Sequence, residues 1–150
     1  MAASLDAQDI IIVEDNDDDF EATERALKRN KNLSNPIIRC KDGLDAWHYL
    51  TGQGTYASRL RMGEPGLILL DLNMPGLDGR KLLARMKADE ELKKIPVVVM
   101  TTSTAKEDIE SCYRAGANTY VRKPVSWPEF SEAVTRLHEY WFQIAILPKS

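Results

Sequence analysis

The chain has 150 residues, 43% of them apolar and 29% charged, with a formal charge of −3, which suits one soluble globular domain with its own core. This slight acidity gives no electrostatic case for nucleic acid, and no stretch approaches the roughly 18–20 apolar residues that span a bilayer. The opening MAASLDAQD has neither a basic region nor an apolar run, so no signal peptide is expected and the chain reads as cytoplasmic.

From residue 10 onward, short apolar runs alternate with helical patterns. IIIV (10–13) is the first predicted strand, and DDD (17–19) is expected to cap the helix that follows and supply its acidic first turn. Phe20, Thr23, Ala26 and Leu27 recur on one face of that helix. IIRC (37–40) is the second strand and LDAWHYL (44–50) the second helix. The segment 51–66, TGQGTYASRLRMGEPG, is long for a connection, and its glycines with Arg59 and Arg61 suggest an exposed loop insert. LILL (67–70), RKLLARMK (80–87), VVVM (97–100), EDIESCYRAG (107–116), TYV (119–121) and PEFSEAVTRLHEYW (128–141) continue the alternation, with Gly116 as a helix stop. The strands are short, β-branched and mostly not alternating, as strands buried on both faces should be. Cys40 and Cys112 fit no metal or redox spacing and read as reduced structural thiols. His48 and His138 are too far apart in sequence to suggest a shared metal site.

Five strands alternating with five helices predict an α/β fold, a flavodoxin-like doubly wound parallel sheet of order 2-1-3-4-5 with helices on both faces. In that order the first and third strands are neighbours whose connections leave in opposite directions, and the crevice at their C-terminal ends is the expected site. Polar groups gather there. Glu14-Asp15 closes the first strand, Asp71 the third, Thr101-Thr102 the fourth, and Lys123-Pro124 follows the fifth. Three carboxylates at one edge repel one another, and Mg2+, a hard ion with oxygen ligands, suits them. Asp71 then becomes a nucleophile toward phosphorus, with Mg2+ and Lys123 offsetting charge on the transferring group and Thr101 offering a hydroxyl.

VEDN, LILLDLNMPGLDG, VVVMTTS and YVRKP resemble the motif set of two-component response-regulator receiver domains, over roughly residues 8–140. The resemblance implies that Asp71 takes phosphate from a phosphohistidine on a sensor histidine kinase. It implies that Asp15 binds Mg2+ directly, Glu14 through water, and Asn73 through its backbone carbonyl. Thr101 and Lys123 would contact the phosphoryl group, and Lys123–Pro124 would be a cis peptide. Tyr120 matches the aromatic whose rotamer follows the threonine, so phosphorylation is expected to switch the face made by the fourth helix, fifth strand and fifth helix. Glu14 stands where Asp is more frequent, Asn73 and Ser103 occupy positions that tune phosphate lifetime, and Trp47, bulkier than the usual aliphatic residue, reads as core filling.

The single domain spans 1–150, with an apolar tail at 141–150. After the last helix only FQIAILPKS remains, too short for an output module, so the output is expected to be protein–protein contact, with a histidine phosphotransfer protein one candidate recipient. Tyr140, Trp141, Phe142, Ile144, Ile146 and Leu147 fall within eight residues at the end of the last helix and in this tail and suggest a homodimer built on the tail. The insert and EYWFQIAILP resemble the stand-alone regulators paired with bacterial phytochromes. Two rivals share parts of the pattern. A haloacid-dehalogenase-type phosphatase wants an acid two residues after its nucleophile, where Asn73 stands. A flavin-binding flavodoxin-like module wants a phosphate cradle after its first strand, where EDNDDD would repel phosphate.

Overall fold

Residues Ile10–Val13 and Leu67–Leu70 are no more than 3% exposed, which explains why these strands read as unbroken apolar runs. The computed structural model describes residues 9–28, 35–54, 65–72, 79–101 and 106–122, together with Pro128, Glu132 and Arg136. In chain order the elements are β1 (Ile10–Val13), α1 (Asp17–Lys28), β2 (Ile37–Cys40), α2 (Gly43–Thr51), β3 (Leu67–Asp71), α3 (Gly79–Ala88), β4 (Val97–Thr101), α4 (Lys106–Arg114) and β5 (Thr119–Arg122). A 3-10 turn at Leu92–Lys94 precedes β4. The five strands form one sheet of order β2-β1-β3-β4-β5, and every pairing is parallel, as expected from the sequence.

Alternate residues of each strand feed two separate cores. Ile11, Val13, Ile68, Leu70, Val97 and Val99 face α2, α3 and α4, where they meet Ala46, Leu50, Leu82, Leu83, Met86 and Cys112. Ile10, Ile12, Leu67, Leu69, Val98 and Met100 face α1, against Ala26 and Leu27, with Phe20 partly buried beside them. Each Val, Leu or Ile so buried contributes about 1.5–3 kcal/mol relative to exposure. The edge strands are less fully buried, β2 among them. It lies at the sheet edge, and Ile37, Ile38 and Arg39 are only partly covered.

Several local expectations need adjustment. Asp17–Asp19 form the acidic first turn of α1, but they do not cap it. Asn16 does, its side-chain oxygen accepting from the Asp19 N–H at 2.9 Å. Gly116 ends α4 as predicted: its φ of +107° lets Ala117 N–H reach back to the Cys112 carbonyl. Trp47 packs against the core from its margin, half-buried, with the Arg85 guanidinium 5.6 Å from its ring centroid, so it covers the core more than it fills it. Cys40 and Cys112 are buried free thiols, and burial pushes the Cys112 thiol above its usual range. No helix among the described residues is long and apolar enough to cross a membrane. Residues 55–64 of the 51–66 insert and the whole tail at 141–150 lie outside the described residues.

Gly79 joins the start of α3 to the end of β3. A Cβ at this position would stand 2.7 Å from the Asp71 carbonyl oxygen and 3.1 Å from the Leu72 Cα. Both neighbours are backbone and cannot rotate away. Gly79→Ala is therefore expected to lower unfolding free energy by about 1–3 kcal/mol, the usual cost of overpacking, read as a shift in the urea midpoint.

Candidate functional site

The parallel register brings the acidic residues together. Val13 of β1 lies opposite Leu70 of β3, so the next residue on each strand, Glu14 and Asp71, emerges at the same sheet edge. Asp15 follows directly. Carboxylate oxygens of Glu14, Asp15 and Asp71 lie within 4.8 Å of one another. Glu14 and Asp71 are buried, at 5% and 7% exposure, and Asp15 is exposed. Two sheltered carboxylates beside a solvent-facing one make an all-oxygen cluster open on one side, which fits a hard divalent cation that keeps several waters. Beneath it, Glu14, Thr23 and Asp71 help line a cavity of about 10 Å3. That volume holds about one water.

The loop after β1 is held on several sides. Glu14 N–H donates to the Cys40 carbonyl at 3.0 Å, and the Glu14 side chain accepts from Asn16 N–H at 3.4 Å. Arg39, which the sequence reading passed over as one charge in an apolar strand, reaches this loop from β2. Its Nε donates to the Glu14 carbonyl at 3.2 Å, and its Nη2 lies 2.6 Å from Asp17 Oδ1. The Nη2 contact is an ion pair without an aligned hydrogen bond. The guanidinium also lies over Phe20, 4.8 Å from its ring centroid.

The sequence of this edge decides the family. A profile of the response regulator receiver domain matches residues 10–135. The chain belongs to this family. As a receiver domain it is a phosphoacceptor in two-component signalling, and its partner is a sensor histidine kinase. It is 37% identical over 139 residues to response regulator Rcp1 of Synechocystis sp., covering 93% of this chain and 92% of the relative. Among solved structures it superposes on the phosphorylated cyanobacterial phytochrome response regulator RcpA with a TM-score of 0.88 at 38% identity, covering 95% of this chain and 99% of that one. The Mn2+-bound form of response regulator Rcp1 gives a TM-score of 0.86 at 35% identity, covering 94% and 99%.

Other expected members of the receiver site are placed less completely. Thr101 ends β4 at the same edge, one residue beyond Met100, the register partner of Asp71. Tyr120 lies on β5, partly buried against the larger core, and its N–H donates to the Tyr113 hydroxyl of α4 at 3.1 Å. Asn73, Ser103, Lys123 and Pro124 lie outside the described residues, as do Tyr140, Trp141, Phe142, Ile144, Ile146 and Leu147.

The guanidinium of Arg39, with a smaller contribution from Lys41, holds the Asp17 carboxyl below the usual carboxylate range. A carboxyl depressed in the fold adds stability above its unfolded pKa and loses it as pH falls through its folded pKa. In Arg39→Met, the Asp17 carboxyl is expected to titrate back toward the ordinary aspartate value, followed by carboxyl-carbon NMR across the acid range.

Proposed function

We propose that Asp71 is the residue that accepts the phosphoryl group, within a divalent-cation site made with Glu14 and Asp15. The single observation that carries this reading is the convergence of three carboxylates within 4.8 Å at the edge where β1 and β3 end. The phosphorylated state of RcpA and the Mn2+ in Rcp1 support it.

An Asp71 carboxylate oxygen attacks phosphorus on the kinase phosphohistidine. The P–N bond breaks, the imidazole leaves with its electron pair, and an O–P bond forms to give the aspartyl phosphate. Asp15 and Asp71 would ligate Mg2+ directly, with the Asn73 backbone carbonyl, and Glu14 through water. When bound, Mg2+ offsets negative charge on the transferring phosphoryl oxygens. Lys123 neutralises part of the same charge, and Thr101 donates its hydroxyl to a phosphoryl oxygen. Tyr120 then turns inward as Thr101 moves, altering the surface of α4, β5 and the final helix.

The partner kinase is read more narrowly as a bacteriophytochrome, because the similar structures include a phytochrome response regulator matched over nearly its whole length. The apolar ending at 140–147 supports a homodimer. A chain truncated after Tyr140 should then scatter light as a monomer, and an unchanged dimer would refute a tail-built interface.

The central test is incubation with acetyl phosphate, or with beryllofluoride, in Mg2+. With acetyl phosphate wild type should gain one phosphoryl group by mass, and with either reagent it should shift the Tyr120 ring resonances. Asp71→Asn, or wild type in excess chelator, should do neither. Equal labelling of Asp71→Asn would remove Asp71 from the role.

A further inference from the structure

Arg39 joins three groups that belong to different elements. Its Nε donates to the carbonyl of Glu14, the peptide that links Glu14 to Asp15. Its Nη2 pairs with Asp17, the first residue of α1. Its face lies on Phe20, one turn further along α1. The guanidinium therefore spans Asp15 and Asn16, gripping the loop just before and just after them. The side chain is 19% exposed, so much of its length is packed against the protein. The Cys40 carbonyl, next to Arg39 on β2, holds the N–H of Glu14. The loop is thus fastened to β2 through both the N–H and the carbonyl of Glu14.

We infer that Arg39 is a positioning residue for the cation site: its planar fork fixes the Glu14–Asp17 loop so that the carboxylates of Glu14 and Asp15 are set against Asp71 before the ion arrives. The inference rests on the reading of this cluster as a Mg2+ site. Geometry and charge pull in opposite directions here, which makes the idea testable. A positive charge beside a cation site repels the cation, so through its charge alone Arg39 would weaken Mg2+ binding. Through the loop it strengthens binding, because ordering the ligands in advance removes a cost the ion would otherwise meet. Lysine keeps the charge but presents a single ammonium that cannot serve the Glu14 carbonyl, Asp17 and the Phe20 face at once.

The experiment is Mg2+ titration by calorimetry on wild type, Arg39→Lys and Arg39→Met, with thermal unfolding of each in chelator. The substitutions fall on an edge strand, and Arg39→Lys keeps the charge and most of the aliphatic stem. Both variants should bind Mg2+ about tenfold more weakly or worse, the usual effect of removing a group that orients metal ligands. Arg39→Met should weaken binding even though it removes a repelling charge. Wild-type affinity in Arg39→Lys overturns the inference, and so does tighter binding in Arg39→Met. A lowered unfolding temperature with unchanged affinity would assign Arg39 to fold stability alone and overturn it equally. If wild type itself bound no Mg2+, the site reading would fall first and the inference with it.

Discussion

Everything at the functional edge depends on β1 lying beside β3 in one register. Val13 sits opposite Leu70, and that step is what sets Glu14 next to Asp71. The register is enforced by burial. Both strands are covered on both faces, and their alternate residues feed two different cores. A one-residue slip would send every side chain to the opposite face. The placement of a few carboxylates is thus determined by apolar packing below them. Because β2 lies outside β1, the chain leaves β1 in one direction and β3 in the other, and the acidic groups occupy the crevice this creates.

The arrangement has an electrostatic cost. Glu14 and Asp71 are almost fully shielded from water while Asp15 stands close by, and polar side chains withdrawn from water in this way cost free energy. A fold selected only for stability would place other residues here. A cation bound as proposed would relieve that cost, and the extensive apolar interior offsets it meanwhile. Catalytic and binding sites commonly hold such locally unfavourable groups in an otherwise consistent structure.

The same edge is continuous with the rest of the molecule. Gly79 presses α3 against the Asp71 carbonyl, and Arg80, the next residue, pairs with Asp108 of α4 at 2.8 Å. From α4, the Tyr113 hydroxyl accepts the Tyr120 N–H of β5. These contacts form an unbroken path from the proposed phosphoacceptor to the α4–β5 face. On the opposite flank, Arg39 ties the acidic loop to the other edge strand. Each tie joins residues that are far apart in sequence or in different elements.

The sequence by itself determined the described strands and helices, their order and the identity of the acidic cluster; the last helix predicted at 128–141 lies almost wholly outside the described residues. The apolar runs at 10–13, 67–70 and 97–100 mark strands within one residue of their observed limits, because a doubly covered strand must be apolar throughout, and the edge strand at 37–40 was legible despite Arg39. Asp71 and the Glu14-Asp15 pair were legible because each directly follows such a run. Tertiary structure alone decided how the cluster is held. Asn16 caps α1 although three aspartates compete nearby, since the cap depends on one residue having the right backbone geometry. Arg39 looks like a solitary charge in an apolar strand, and its partners Glu14 and Asp17 are set by strand register and side-chain reach. Gly79 follows Asp78 in a pair that signals a turn, but its need for a missing side chain comes from the backbone of a different element. Local periodicity reports which face a residue needs to bury. It carries no information about which distant atom will lie within 3 Å, because that distance exists only after the sheet has closed.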